Sequence, residues 1–373
     1  MQFRDLKAQY LALKPEIDAG INEVINNTSF ILGKQVSDLE NKLANYVGRK
    51  HCIGVANGTD ALQLALMVLG VGPGDAVFTS DFTYFASAGS ASILGATPVL
   101  VDIDLRTYNI SPTALENAIK RVIAEGKLNP KVIIPVDLFG LPANYPEIEK
   151  IADKYGLKIL EDAAQGFGGN INGKRACAFG DISTTSFFPA KPLGCYGDGG
   201  AIFTDDSEID ARLRSLRAQG KSPIDKYDNR EIGMNSRLDT IQAAILLPKF
   251  KAFSEYELDN VNKVAEWYTK RLKDKFITPY VPEGYYSSWA QYTLLLDSTE
   301  QRSDMQAKLK EKGIPSMVYY PRGLHQQEAY KDMNLSDDLY PNTVKATRSV
   351  LSLPMHPYLD EATVDYITKI ICE

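Results

Sequence analysis

The sequence predicts an α/β protein with a large part built on a mostly parallel sheet and a smaller α+β part after it. Between residues 50 and 205, short apolar runs alternate with helical stretches. This alternation is typical of strands that helices cover on both faces. After about residue 245 the pattern changes to one long helical stretch followed by separate strands and helices. We therefore expect a large domain at residues 1–245 and a small C-terminal domain at residues 246–373.

The expected elements follow in order along the chain. Residues 14–27 and 36–47 have the periodicity of amphipathic helices. The central strands are predicted at residues 76–79, 98–101, 132–136 and 158–162, with helices at residues 60–69, 111–125 and 145–155. The C-terminal part is predicted to contain a helix at 249–273, an extended segment at 289–296, a helix at 303–312, a strand at 316–320 and a helix at 360–371. Ligands of such sheets bind at the carboxyl ends of the strands.

Composition excludes several classes of function. The 373 residues have a net charge of −6 without a basic block, so we expect neither a nucleic-acid partner nor a membrane partner. No run reaches the ~20 apolar residues of a membrane span, and Met1 is followed by no apolar signal core. The cysteines and histidines lack metal-site spacing, and the scattered cysteines fit a reducing cytoplasm. The cysteines are Cys52, Cys177, Cys195 and Cys372, and the histidines are His51, His325 and His356.

Lys191 is the first candidate for chemistry. Pro189 precedes it by two residues and Pro192 follows it, so the segment is predicted to be irregular, because proline breaks the helical hydrogen-bond ladder. A lysine held on a stiff, apolar segment is a candidate for a Schiff base with a carbonyl cofactor. The alternative is an ordinary exposed loop lysine, and this segment alone does not decide between them.

A turn at residues 57–60 is a candidate phosphate site. Gly58 allows a tight turn, and the first amides of the following helix would favour an anion. The alternative is an ordinary helix start, capped by Thr59 or Asp60.

Two further strand ends carry candidate residues. The strand near residue 79 leads into Phe82, Tyr84 and Phe85, where an aromatic ring could stack on a flat cofactor or simply pack in the core. The strand at 158–162 ends in Glu161 and Asp162. A carboxylate there could keep a pyridinium nitrogen protonated, or Asp162 could cap a helix.

Taken together in this order, these motifs resemble the fold type I pyridoxal 5'-phosphate enzymes, and more narrowly the DegT/StrS group of nucleotide-sugar aminotransferases. The resemblance covers essentially the whole chain. It includes the spacing of Asp162 and Lys191, which are 29 residues apart (191 − 162). Four segments carry it: EDAAQ at 161–165, SFFPAKPLG at 186–194, GDGGA at 197–201 and MNSRLDTIQAAIL at 234–246.

The resemblance implies a role for each matching residue. Lys191 would form the Schiff base with the cofactor and later move a proton as base and acid. Asp162 would pair with the pyridine nitrogen, Gln165 would contact the ring hydroxyl, and Tyr84 would stack on the ring. The cofactor phosphate would be surrounded by Gly58, Thr59, Asp60 and Ser186.

The same resemblance implies a homodimer with shared active sites. Asn235 would reach from the partner subunit to complete the phosphate site, and the alternative for it is a helix cap. Arg237 could hold the carboxylate of glutamate or of the sugar, and the alternative is a surface ion pair. Tyr320 is similar to a substrate-facing tyrosine, although a packed strand tyrosine is an equal alternative.

The implied reaction moves an amino group from glutamate to a keto-sugar nucleotide. The run 186–204 resembles most the enzymes that aminate C3 of UDP-2-acetamido-2-deoxy-3-oxo-glucuronate for cell-surface polysaccharide such as lipopolysaccharide O-antigen. The alternative is a C3 or C4 aminotransferase of a dTDP- or UDP-linked keto-deoxysugar. Dehydratase relatives have histidine in place of the lysine, so Lys191 argues against them, and the intact set of site residues argues against a sensor that only keeps the fold.

Overall fold

The structure is a computed structural model that describes residues 1–225 and 227–373. The helices are α1 (Leu6–Asn27), α2 (Lys34–Val47), α3 (Gly58–Val68), α4 (Ala86–Ile93), α5 (Pro112–Glu125), α6 (Tyr145–Tyr155), α7 (Ser207–Leu216), α8 (Thr240–Ala252), α9 (Leu258–Leu272), α10 (Thr299–Glu311), α11 (Pro341–Ser349) and α12 (Glu361–Cys372). The strands are β1 (His51–Val55), β2 (Asp75–Ser80), β3 (Thr97–Val101), β4 (Asn129–Ile134), β5 (Lys158–Asp162), β6 (Asn170–Ile171), β7 (Lys174–Arg175), β8 (Ile182–Ser186), β9 (Gly200–Thr204), β10 (Tyr285–Tyr286), β11 (Tyr292–Leu295) and β12 (Val350–Leu353).

A seven-stranded sheet organises the larger part of the chain, in the order β1-β9-β8-β5-β4-β2-β3. β3, β2, β4, β5 and β8 pair in parallel, and β9 runs antiparallel to both β8 and β1. The predicted mostly parallel sheet is therefore confirmed. Since β1, β2, β5 and β8 all run in one direction, the residues that follow them meet at a single edge of the sheet.

Buried apolar residues explain why these segments fold as they do. All six residues of β2 are buried, as expected of a strand that helices cover on both faces. In α2 the buried residues Val36, Leu39, Leu43 and Val47 recur at helical spacing, which confirms the amphipathic helix predicted at 36–47. The first predicted helix also exists, but it begins at Leu6, because Asp5 caps it by accepting a hydrogen bond from the Ala8 amide.

The C-terminal part holds the two-stranded antiparallel sheet of β11 and β12, with α9, α10 and α12 nearby. The long helix predicted at 249–273 is continuous from α8 through a π-helical turn, Phe253–Glu257, into α9. The strand predicted at 316–320 is wrong. Only Met317 forms a bridge, with Ser352 at the free edge of β12, because Pro315 and Pro321 on either side restrict the backbone.

The boundary proposed at residue 245 falls inside α8. One apolar cluster joins residues from both sides of it, for example Leu39 and Ile367. The division into domains at 1–245 and 246–373 stays a prediction. Within residues 1–225 and 227–373, no helix has the length and apolar character needed to cross a bilayer, and no cluster of His, Cys, Asp and Glu could hold a metal ion.

Candidate active site

A cavity of about 880 Å³ opens at the edge of the sheet where β1, β5 and β8 end. Nine of the eleven candidate residues line it: Gly58, Thr59, Asp60, Tyr84, Asp162, Gln165, Ser186, Lys191 and Tyr320. The structure thus brings together residues that lie up to 262 positions apart in the sequence (320 − 58). Asn235 and Arg237 are the two that do not line it.

Lys191 lies on an irregular loop after β8, as its flanking prolines predict. The Lys191 amide donates to the Phe188 carbonyl at 2.9 Å, and the Cys195 amide donates to the Phe187 carbonyl at 2.8 Å. A guanidinium nitrogen of Arg4 donates to the Pro192 carbonyl at 3.2 Å and so ties the N-terminus to this loop. These bonds fix the backbone from which the lysine side chain enters the cavity.

Burial lowers the pKa of Lys191, and the positive charge of Arg4 lowers it further, whereas Asp162 opposes the shift. A lysine ordinarily has a pKa of about 10.4 and is protonated at neutral pH. A lowered pKa increases the fraction of neutral amine, which is the form that attacks a carbonyl and accepts a proton. The loop lysine therefore has the electrostatic surroundings of a nucleophile.

Asp162 ends β5 with its carboxyl group buried. One oxygen accepts from the Ser87 hydroxyl at 2.8 Å, and the other accepts from the Ala164 amide at 3.2 Å within a turn. Burial raises the pKa of Asp162, and the Ser87 and Ala164 hydrogen bonds and the Lys191 charge oppose this rise. A buried carboxyl group that faces a cavity with only neutral hydrogen-bond donors is suited to a cationic ring nitrogen.

Gln165 joins the cavity wall to Tyr320. Its side-chain oxygen accepts from the Phe139 amide at 2.8 Å, and its nitrogen donates to the Tyr320 hydroxyl at 3.0 Å. Burial raises the pKa of Tyr320, so this hydroxyl keeps its proton. Tyr320 therefore presents a fixed hydroxyl at the cavity wall, next to the residue predicted to contact the cofactor ring.

Gly58 begins α3 directly against Ser186. A Cβ atom at Gly58 would lie 2.7 Å from the Ser186 Cβ, so only glycine allows this approach. Asn57 caps the helix by accepting from the Asp60 amide at 2.8 Å, so the cap is neither Thr59 nor Asp60, the two residues named in the alternative. The close approach leaves the first turn of α3 at the cavity, where its free amides suit a phosphate.

The three aromatic residues after β2 have different surroundings. Phe82 is fully buried and packs edge-to-face on Tyr320, with ring centroids 5.8 Å apart. Phe85 stacks on Tyr330 at 5.3 Å. Tyr84 lines the cavity and is 61% exposed. The core alternative therefore holds for Phe82, and Tyr84 is the ring that is free to stack on a ligand.

Asn235 and Arg237 lie outside the cavity of their own chain. Asn235 is exposed and forms a bridge with Ala218, and Ser236 between them accepts from the Ala56 amide at 3.1 Å. Asn235 caps no helix, since α8 begins after Asp239. Among the described residues, Arg237 has no ion pair, so the surface ion pair offered as its alternative is absent from the part of the chain that the structure covers.

Comparison with known proteins agrees with this geometry. The family described as DegT/DnrJ/EryC1/StrS aminotransferases matches residues 12–372. The chain belongs to this family. It is 48% identical over 373 residues to the UDP-2-acetamido-2-deoxy-3-oxo-D-glucuronate aminotransferase of Pseudomonas aeruginosa, covering 100% of this chain and 98% of that protein. It is 40% identical over 368 residues to the UDP-N-acetyl-3-dehydro-alpha-D-glucosamine 3-aminotransferase of Acidithiobacillus ferrooxidans, covering 98% and 96%.

A solved structure of a family member from Brucella abortus superimposes on this aminotransferase with a TM-score of 0.97 at 47% identity, covering 100% of this chain and 98% of that one. Aminotransferases of this family depend on pyridoxal phosphate. The residues present fit that cofactor. The glycine-lined start of α3 suits its phosphate, the buried Asp162 suits its ring nitrogen, and the Lys191 amine suits its aldehyde.

Sequence reasoning missed several residues that hold the aminotransferase site together. Ser87 fixes Asp162, the Phe139 amide fixes Gln165, and Asp81 anchors His325. His325 Nδ1 lies 2.6 Å from an Asp81 oxygen, and its backbone amide donates to the other oxygen at 2.8 Å. Asp81 follows β2 directly, and a polar residue at a strand end was the one signal available for it.

The His325 anchor predicts a pH-dependent stability. Burial lowers the pKa of His325, but the carboxylates of Asp81 and Asp337 outweigh it and the pKa is raised. The folded protein thus holds this proton more tightly than the unfolded chain, so the stabilisation is complete below about pH 6.5 and is lost as pH rises through the folded pKa. In thermal denaturation, the melting temperature of wild type should exceed that of His325→Gln at about pH 5.5, and this difference should shrink as the pH rises to about 9. Parallel pH profiles for the two proteins would contradict the assignment.

Proposed function

We propose that this aminotransferase transfers the amino group of glutamate to C3 of UDP-2-acetamido-2-deoxy-3-oxo-glucuronate, in the cytoplasm, for a cell-surface polysaccharide such as lipopolysaccharide O-antigen. The supporting observation is the 48% identity, along the full chain, to an enzyme named for that substrate. The second candidate is a C3 or C4 aminotransferase of another dTDP- or UDP-linked keto-sugar. It is favoured by the 40% identity to an enzyme named for a 3-keto sugar without a uronate.

The residues of the cavity supply binding and proton transfer. Bound pyridoxal phosphate supplies a ring that withdraws electrons from the donor Cα. With the cofactor bound, Lys191 would take the proton from that Cα and deliver it to the cofactor C4′, and the same amine would move the proton in reverse for the sugar. Asp162 would keep a proton on the ring nitrogen, which would strengthen the electron withdrawal. Tyr320 and Gln165 form the wall against which the substrate is positioned.

The site is proposed to be shared between two copies of the chain. Asn235 and Arg237 stand outside their own cavity on a segment next to exposed apolar side chains. Ile31 bridges Asp239, which places the loop at Phe30 and Leu32 close to that segment. Exposed apolar residues in such a group favour a protein–protein contact. A homodimer would cover them and could bring Asn235 and Arg237 to the cavity of the partner.

A steady-state assay with matched acceptors tests the substrate. The 3-oxo-uronate and the 3-oxo sugar of UDP-N-acetylglucosamine differ only at C6, which is a carboxylate in the first and a hydroxymethyl group in the second. We expect kcat/KM to be about 10- to 100-fold higher for the uronate, because a hydrogen bond to a charged group contributes about 1.5–3 kcal/mol. A dTDP-linked 4-keto-6-deoxy sugar serves as the third substrate. A higher kcat/KM for either neutral sugar would favour the second candidate.

A further inference from the structure

The cavity wall carries few positive charges. Among its lining residues, Lys191 and Arg322 are the cationic side chains, against the carboxylates Asp60, Asp162 and Asp198. Lys191 is assigned to the proton transfer, whereas no contact in the described residues gives Arg322 a role. Arg322 is exposed, and within residues 1–225 and 227–373 it forms no hydrogen bond or ion pair. An arginine at a cavity that has no partner of its own is available to an anionic ligand.

Arg322 lies at the mouth of the cavity. Two residues before it, Tyr320 contacts Gln165 inside the cavity at 3.0 Å. Pro321 and Arg322 then emerge to solvent. Two extended residues span at most about 7 Å. The segment 320–322 therefore connects the inner wall to the exposed position of Arg322 over no more than this length.

The backbone on the far side of Arg322 is fixed to the central sheet. The Leu324 amide donates to the Asp81 carbonyl at 2.8 Å, and His325 pairs with the Asp81 side chain. A Cβ atom at Gly323 would come within 2.6 Å of an Asp81 oxygen, so the chain approaches Asp81 as closely as glycine allows. A guanidinium carried on such a fixed segment loses less conformational freedom when it binds a ligand.

We propose that Arg322 binds the diphosphate of the nucleotide-sugar substrate and so directs the sugar toward Lys191. A guanidinium matches phosphate oxygens with two parallel hydrogen bonds. A sugar nucleotide whose ketone lies at Lys191 would extend its diphosphate outward along the same cavity, which Arg322 lines at an exposed position. This inference rests on the proposed function only in taking a nucleotide sugar as the substrate, and it is independent of which ketone is aminated.

Three measurements on Arg322→Gln holoenzyme test the proposal. We expect KM to rise about 10- to 100-fold for both the 3-oxo-uronate and its neutral 3-oxo counterpart, because both carry the diphosphate. Calorimetric titration with UDP should show binding weakened by a similar factor. The rate of the half-reaction with glutamate should stay within about twofold of wild type. Arg322→Lys keeps the positive charge but lacks the two parallel donors of a guanidinium, so its rise in KM and its loss of UDP affinity should be intermediate.

Arg121→Gln, at an exposed position on α5, is the matched control and should behave as wild type. A loss confined to the uronate would show that Arg322 binds the sugar carboxylate and would overturn the proposal. A loss in the glutamate half-reaction would overturn it in favour of the donor carboxylate, and unchanged UDP affinity would overturn it directly. If wild type aminates neither sugar, the proposed function fails, and the UDP titration still decides the role of Arg322.

Discussion

Replacing Lys191 with alanine is expected to lower turnover by about 10⁴-fold, because the variant loses both the nucleophilic amine and the group that moves the proton. The visible absorption band of cofactor bound through Lys191 should disappear as well. Absorption spectra of the purified protein with added pyridoxal phosphate, and kcat with glutamate and the sugar nucleotide, measure the two effects. A small primary amine added to the buffer should restore part of the rate.

Lys150→Ala, on the exposed face of α6, is the control and should retain wild-type turnover. Mixing Lys191→Ala with Asn235→Ala chains adds a test of the shared site. Each mixed dimer would have one cavity with both Lys191 and Asn235 intact, so about a quarter of the wild-type activity should return. Undiminished turnover by Lys191→Ala alone would rule out the proposed chemistry.

Replacing Asp162 with asparagine is expected to lower kcat by about 10²- to 10³-fold, the range for removing one preorganised electrostatic contact. Asparagine has nearly the same shape: its oxygen can still accept from the Ala164 amide, and its NH2 group can donate to the Ser87 hydroxyl, in place of the 3.2 and 2.8 Å hydrogen bonds of the native protein. It carries no charge, however, and cannot hold a proton on the ring nitrogen. Single-turnover rates for the glutamate half-reaction and the sugar half-reaction should fall together.

The matched control is Asp153→Asn, an exposed carboxylate on α6 that is remote from the cavity wall. Cofactor affinity distinguishes the two explanations of a slow Asp162→Asn enzyme. If the variant is saturated with cofactor and still slow, the charge acts on the reaction itself. If it keeps wild-type kcat once saturated, Asp162 serves only to retain the cofactor and the assigned role is wrong.

The sheet could be predicted because strands buried on both faces must be apolar throughout. β2 and β5 coincide closely with their predicted positions for this reason. Lys191 and Asp162 could be singled out because each interrupts an apolar segment at the point where it ends. Their meeting at one cavity follows from the parallel pairing of β5 and β8, which brings the ends of those strands together.

The parts of the fold and the site that were not predicted depend on contacts between residues far apart in the sequence. Ser87 and Asp162 are separated by 75 positions, and Asp81 and His325 by 244. A strand was predicted at residues 316–320, yet only Met317 pairs, with Ser352 of β12, because Pro315 and Pro321 restrict the backbone on either side. The place of Asn57 as the cap was equally hidden, since Asn57, Thr59 and Asp60 are all competent capping residues.

The orientation of the Gln165 side-chain amide affects the protonation of a ligand atom that binds beside it. Its oxygen is occupied by the Phe139 amide, which fixes which end of the side chain faces the cavity. Its nitrogen has two protons, of which Tyr320 accepts one. At this point the Gln165 side chain therefore presents a hydrogen-bond donor to the cavity, and its acceptor oxygen is turned away toward Phe139. In the proposed contact with the cofactor ring, this donor would favour a ring oxygen that has lost its proton over a hydroxyl, so Gln165 would select the ionic state of the bound ring as well as its place.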